Sequence, residues 1–247
     1  SADAGAAEAA KVIHEGGGNE TLASIRRQRL ANLLSEVQAT IAFDQPLLTA
    51  TLQTNGILVS GTYALNPTTD ELLGQGPIAS YQVGIYFPSA FPKAEPVVFE
   101  TGNTIPRDKN HHINEDGTCC IVVWEAWAPS TKKVSVQAYF DGPLRNFFLG
   151  QHQKAATGKW PFGEERHGKE GLIDTFAERL SCRRSEKKIR HLLRLLSKDW
   201  PKGHWDCPCG SGKIVRKCCA ERIARLAKEV PKRDAQRMLS RLKSYDR

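Results

Sequence analysis

An α+β fold is predicted by a change of hydrophobic period along the chain. Residues 20–40 place Leu22, Ile25, Leu30, Leu33, Leu34 and Val37 at helical spacing. Three runs follow, residues 56–65, 81–87 and 97–100, short, rich in β-branched and aromatic side chains and bounded by glycine and proline. Such runs mark an antiparallel meander. Helical spacing then returns and holds to the C-terminus. Strands grouped between helices give the α+β arrangement rather than alternating βαβ units.

Each element has its own warrant. Residues 1–19, rich in Ala, Gly and Glu, are expected to form a flexible leader before the first helix. Pro88, Pro92 and Pro96 exclude a helix between the second and third runs. Residues 134–148 suit a helix that lays Val134, Ala138, Leu144 and Phe147 on the sheet, with Gly142-Pro143 kinking or ending it. The glycine-rich, polar residues 149–171 read as a long loop, pinned by Trp160-Pro-Phe162. Helical periodicity resumes at residues 172–180, at Ile189, Leu192, Leu193 and Leu196, and at Ile223, Leu226, Ala227 and Val230, with a short basic helix after Pro231. There is no internal repeat. The expected domains are the leader at 1–19, an α+β domain at 20–180 and a basic helical tail at 181–247.

Composition sets the class. The chain has 247 residues, 40% apolar and 25% charged, ordinary for a globular protein with one substantial core and a smaller appended unit. No run approaches the roughly 18 apolar residues of a membrane span, and residues 1–7 lack the basic and apolar regions of a signal peptide. A cytoplasmic protein is expected. The net charge of +8 is unevenly spread: residues 181–247 carry 20 Lys and Arg against 7 Asp and Glu, the remainder 15 against 20. The tail is therefore either a set of solvated helix faces or a surface for something acidic, nucleic acid included. The seven cysteines fall as Cys119-Cys120, Cys182, and Cys207, Cys209, Cys218 and Cys219. An odd number without a secretory signal argues against a disulfide framework.

The pair Cys119-Cys120 ends a segment that carries Asn110-His111-His112, Gly117 and Thr118 and is followed by Trp127-Ala-Pro129. A thiolate here would act as a nucleophile, and a neighbouring histidine could lower its pKa or take a proton from an incoming amine. The segment resembles the active site of ubiquitin-conjugating (UBC) enzymes. In that family a His-Pro-Asn loop precedes the catalytic cysteine, with asparagine eight positions before it and glycine three before it. Gly117 stands three before Cys120; position 112 is His. Trp127-Ala-Pro129 resembles the family's Trp-Ser-Pro, and Tyr81 to Pro88, Phe91-Pro92 and Pro96 to Phe99 resemble its strand and proline region. The resemblance covers roughly residues 20–180. It implies the UBC-like order of N-terminal helix, antiparallel meander, active-site loop and C-terminal helices, and a thioester on Cys120. The oxyanion donor would be His112 in place of asparagine, with His111 a second candidate. Cys119 departs from the family, where that position is apolar. On an extended segment the two thiols face opposite ways, so Cys119 is either a small buried hydrophobe or a participant that relays or replaces Cys120. His167, in the loop of residues 160–168, is either a further active-site residue or a polar loop tip.

Cys207-Pro-Cys209-Gly-Ser-Gly-Lys213 followed by Cys218-Cys219 closely resembles the SEC-C motif. Four thiolates at this spacing suit a tetrahedral, structural Zn²⁺ with no position for water. Gly210 and Gly212 permit the turn that joins the two pairs. A knuckle this small folds only with its metal. No Gly-rich phosphate loop for adenylation is present, so the acyl donor would be activated elsewhere. Bacterial UBC-like relatives occur in antiphage operons of the CBASS type. The resemblance thus implies a partner, a cGAS/DncV-like nucleotidyltransferase whose C-terminus would be conjugated to amines. Three other readings stand beside it: a catalytically inactive UBC-fold binding module, a papain-like cysteine hydrolase, and a nucleic-acid-binding adaptor using the basic zinc-knuckle tail. The β-branched residues 121–123 speak against the hydrolase, which needs its nucleophile at a helix N-terminus.

Overall fold

The computed structural model describes residues 3–67, 76–161, 168–199 and 203–246. The expected α+β class holds, with a four-stranded antiparallel sheet and helices before and after it. Helix α1 is Asp3–Asp44. It begins well upstream of the helix expected from residue 20, because its alanine-rich start favours helix and no proline precedes Pro46. The side chains of residues 1–20 lie outside those described.

The strands are β1 Leu48–Gln53, β2 Gly56–Leu65, β3 Ala79–Pro88 and β4 Val97–Glu100, in spatial order β1-β2-β3-β4. Three were legible in the sequence and β1 was not. Its hairpin partner begins at Gly56, with Gln53 opposite Gly56 and Thr54-Asn55 as the two-residue turn. Asn55-Gly56 after the alternating Leu48, Ala50 and Leu52 was the available signal. The meander stays in register because Ile57, Val59, Leu65, Val83, Ile85 and Phe87 alternate to one buried face. Gln45 extends the pairing beyond β1: its side chain donates to the Ala64 carbonyl and accepts from the Ala64 amide, both at 2.8 Å.

After β4 the chain makes a short hairpin. Ile113 pairs with Cys119, Thr118 pairs with Phe99 of β4, and Gly117 at φ 84° closes the turn. A Cβ at Gly117 would sit 3.0 Å from the Glu100 carbonyl oxygen, so conformation and space both require glycine there.

Helix α2, Trp124–Ser130, was not expected from the sequence. Helix α3 is Val136–Tyr139, and residues 140–144 form a π turn that leads directly into α4, Arg145–Thr157. The proline at 143 neither ends nor sharply breaks the helical run. Lacking an N–H, it is accommodated by a wider turn in which Arg145 N–H reaches back to the Phe140 carbonyl. The loop expected at 149–171 is correspondingly shorter, since α4 runs to Thr157 and α5 occupies Gly168–Arg179. Gly150 did not stop α4, and it is buried within it. Helices α6, Glu186–Leu196, α7, Ala220–Glu229, and α8, Lys232–Ser244, follow the predicted periodicity.

The chain divides into two compact units. The first comprises Ser1–Arg107, Ile113–Cys119 and Val134–His152, and the second Asp108–His112, Cys120–Lys133 and Gln153–Arg247. The first is cored by the sheet with Val37, Val136, Tyr139, Leu144 and Phe148. The core of the second joins Phe176 and Leu180 of the α5 region to Ile189 and Leu193 of α6, Ile223 of α7 and Met238 of α8. Thus α5 shares a core with α6 across the domain boundary expected at residue 180. Arg190, only 9% exposed, fastens this second core. It donates to Glu186 at 2.7 Å, to Asp246 at 2.8 Å and to the Leu242 carbonyl at 2.9 Å. Among the described residues, no helix is long and apolar enough to cross a membrane.

Candidate functional site

Cys119 and Cys120 belong to different units although they are neighbours in the chain. Cys119 is the half-buried member. Its amide donates to the Val98 carbonyl at 2.8 Å, and its Sγ donates to the Gly117 carbonyl at 3.7 Å. Main-chain pairing to β4 and to Ile113 therefore fixes this residue as part of the first unit's sheet edge.

Cys120 is exposed and belongs to the second unit. Its amide donates to the His112 carbonyl at 2.8 Å, which sets the cysteine main chain against the histidine turn. That amide is thereby used and is not a donor to an oxyanion on its own sulfur. Three non-helical residues separate Cys120 from α2, whose N-cap is Val123. The sulfur is thus not at a helix N-terminus, the position a papain-like nucleophile would take.

The histidine turn is built from Asp108. A single 3₁₀ turn spans Lys109–His111, capped by Asp108 at its start and by His112, in the left-handed region at φ 54°, at its end. Asp108 Oδ1 accepts from the His111 amide at 2.9 Å and from His111 Nδ1 at 2.8 Å. This side-chain bond to His111 is the main influence that holds the Asp108 carboxyl below its usual range. With Nδ1–H pointed at the carboxylate, the lone pair of His111 lies on Nε2, the arrangement of an oriented general base. The His112 ring lies 4.8 Å from the Trp160 ring, and Lys154 Nζ stands 5.9 Å from the same indole. Lys154 also donates to the Asn110 carbonyl. Trp160 thus packs on the His112 ring; Phe162, expected with Trp160 to pin the loop, lies outside the described residues. His167 lies outside the described residues.

Sequence reading missed four residues of this region. Asp108 had a signal, an Asp at the N-cap spacing before His111. Glu125, Arg241 and Tyr245 had none. Glu125 in α2 has a side chain only 5% exposed and accepts from Arg241 Nη1 of α8 at 2.9 Å. Tyr245 follows α8, and its phenol is pushed up first by burial and then by the charge of Cys120. The C-terminal helix therefore belongs with the segment that carries Cys120. Arg241→Met would leave the Glu125 carboxylate buried without this cation. Breaking a buried pair costs about 3–5 kcal/mol, and solvent at the partly exposed Arg241 brings the expected loss to about 2–3 kcal/mol. Glu125→Gln should cost less, since no charge remains to be buried. Urea unfolding of both variants checks this order, and an Arg241→Met protein as stable as the parent would refute it.

The second candidate site is the four-thiol cluster. A β-bridge between Asp206 and Ile214 closes a ribbon whose turn contains Gly210 at φ 83° and Gly212 at φ 72°. Cys207 and Cys209 lie in this turn, Cys218 ends the 3₁₀ turn Val215–Lys217, and Cys219 caps α7. The four sulfurs all lie within 4.8 Å of one another, close enough to hold one metal ion. All seven cysteines are described and none is in a disulfide. Burial pushes the Cys207 thiol up. A hydrogen bond from Ser211, reinforced by neighbouring thiols, draws Cys209 down to about 6. Hydrogen bonding to Cys207 pushes Cys219 up to about 12. Four sulfurs this close share protons rather than ionise together, because like charges at such distances repel. A cation at their centre would remove that obstacle.

No family model matches the chain, and neither a curated protein nor a solved structure matches it. The functional reading rests on these residues.

Proposed function

We propose that the protein is a ubiquitin-conjugating-like acyl transferase that carries a protein C-terminus as a thioester on Cys120 and passes it to an amine. The observation that carries this reading is the exposed Cys120 whose main chain is bonded to the turn bearing His111 and His112. The order of helix, antiparallel meander, cysteine loop and helices supports a UBC-like fold for the same reason. In the transfer step the amine nitrogen attacks the thioester carbonyl. His111 Nε2 takes the amine proton, the tetrahedral intermediate collapses, the C–S bond breaks, and Cys120 leaves as a thiolate. His112 is the proposed oxyanion donor. The acyl donor is activated by another protein. By resemblance the donor is a cGAS/DncV-like nucleotidyltransferase of a CBASS-type antiphage operon, acting in the cytoplasm.

The cluster of Cys207, Cys209, Cys218 and Cys219 is proposed to hold a structural zinc. Zn–S bonds of 2.3 Å in a tetrahedron put sulfurs about 3.8 Å apart. Cys209 and Cys218 are 3.5 Å apart, and Cys218 and Cys219 3.6 Å. With four protein ligands the ion would organise the knuckle and take no part in acyl transfer.

Intact-mass spectrometry of the protein co-expressed with its operon neighbours tests the central claim. A protein-sized adduct that thiol reductant releases supports it, and no adduct with donor, activating enzyme and ATP present refutes it. The base has its own test. Asp108→Asn should slow discharge of the thioester to free lysine about tenfold or more by disturbing the His111 tautomer. His111→Ala should do the same, and the double variant should be little worse than either alone. Full-rate discharge by both single variants would remove His111 from the mechanism.

A further inference from the structure

We infer that the exposed face of α6, together with the adjoining ribbon of the four-thiol cluster, binds single-stranded nucleic acid. The phosphates would lie along α6 and one base would stack on Trp205. This surface is separate from the Cys120 chemistry and does not depend on it.

The helix is sharply two-sided. Ile189, Leu192, Leu193 and Leu196 are buried in the second unit's core. Lys187, His191 and Arg194 follow one another by four and three positions, so they form a single stripe along the other side of the helix, and Lys198 follows just beyond its C-terminal end. Lys187, Arg194 and Lys198 are exposed and His191 is half-buried. The nearest carboxylates along the chain, among the described residues, are engaged elsewhere: Glu186 is bound to Lys169 and Arg190, and Asp199, beside Lys198, to Lys232. Among the described residues none of the four takes part in an ion pair. At 1.5 Å per residue Lys187 and Arg194 are about 10 Å apart along the helix, and Lys198 stands just past its end, so the row can meet a few successive phosphates of one strand.

The stripe borders a cleft of about 450 Å³. His191, Arg194 and Lys198 line one side, and His204, Trp205 and Asp206 the other. Trp205 is a fixed platform: its carbonyl accepts from the Val215 amide at 2.8 Å, and its ring packs against the core. A second cleft beside the same helix, about 320 Å³, is lined by Arg183, Lys188 and Arg222 with no carboxylate among the described residues, and Arg222 is held by the Leu180 and Ser181 carbonyls at 3.2 and 3.0 Å. Positive grooves with an aromatic platform suit single strands, whose bases are free to stack. A duplex keeps its base faces covered, and an acidic protein would make no use of the indole. Among the described residues Asp206 is the single carboxylate lining the Trp205 cleft, and it leaves their balance positive.

The test uses the full chain and end-labelled deoxythymidine 12-mers in fluorescence anisotropy. Binding at about 50 mM salt should weaken with a log–log slope of about −2 to −4, as three to five neutralised phosphates require for a single strand. An abasic 12-mer of equal charge should bind about tenfold more weakly because it cannot stack. Arg194→Glu with Lys198→Glu, both exposed and outside the core, should lower affinity about tenfold or more while circular dichroism and metal content stay unchanged. Trp205→Leu should erase the preference for bases and keep the salt slope. Cys120→Ala should bind as the parent does, which separates this proposal from the acyl-transfer reading. Unaltered binding by the double variant would place the site elsewhere. Equal binding of abasic strand and polyglutamate would make the surface a dock for an acidic protein. Either result, or no binding at about 50 mM salt, overturns the inference.

Discussion

Cys120→Ala is expected to abolish the reducible adduct and all transfer to amines, while the protein unfolds at the same temperature as the parent. The thiol is exposed, so its loss opens no cavity. The main-chain bond to His112 needs no side chain and survives. Cys119→Ala gives the contrasting result. That thiol is half-buried, with its Sγ on the Gly117 carbonyl, so the substitution should cost about 1 kcal/mol or less of stability and leave transfer intact. Cys120→Ser sharpens the test, because an oxygen nucleophile forms an ester that reductant does not release. Intact-mass spectrometry of the three variants reads all of this. Should Cys119→Ala be the inactive one and Cys120→Ala the active one, the sulfur in the sheet edge is the nucleophile and the mechanism given above is assigned to the wrong residue.

The largest effect on stability is expected from Cys207→Ser. Four-thiolate zinc sites in small knuckles contribute about 10–16 kcal/mol of apparent binding free energy at neutral pH, as much as a whole domain has to spare. Loss of one thiolate should therefore take the ion and most of the second unit's order with it. Val215, Ile223, Leu226, Met238 and Leu242 all lie in the core that the ribbon closes. The damage should extend to α2, because Arg241 of α8 holds Glu125. Hydrogen exchange should accelerate across residues 120–133 and 203–246, while β2 and β3 stay protected. Cys182→Ser, outside the cluster, should keep the metal. Stoichiometric zinc in the Cys207→Ser protein would show that the ligand set is wrong. Fast exchange confined to residues 203–219 would show that the knuckle folds independently of the helices around it.

How far each site could be read in advance depended on distance along the chain. The four thiols lie within thirteen consecutive residues, and Gly210 and Gly212 supply the positive φ that brings them together. Spacing alone was enough. The same holds for the Gly117 turn before the cysteine pair and for the alternation of β2 and β3. Local signals misled where two rules met at one residue. Proline at 143 argued for a break, yet a π turn absorbed it. Glycine at 150 argued for a loop, yet close packing buried it inside α4. Strand β1 was passed over for its short apolar alternation, although it gains its partner from the Thr54-Asn55 turn.

By itself, then, the sequence determined the α+β class, most of the strands and helices, the candidate nucleophiles and the four-cysteine cluster. These follow from φ preference, hydrophobic period and ligand spacing, all of which act over a few residues. Only the tertiary structure decided that Cys119 belongs to the sheet and Cys120 to the helical unit, that Asp108 orients His111, and that α8 reaches Glu125 across 116 positions. Pairings between α2 and α8 leave no period in either segment, because a buried carboxylate needs a cation from whichever element packs over it, and which element that is depends on how the whole core closes.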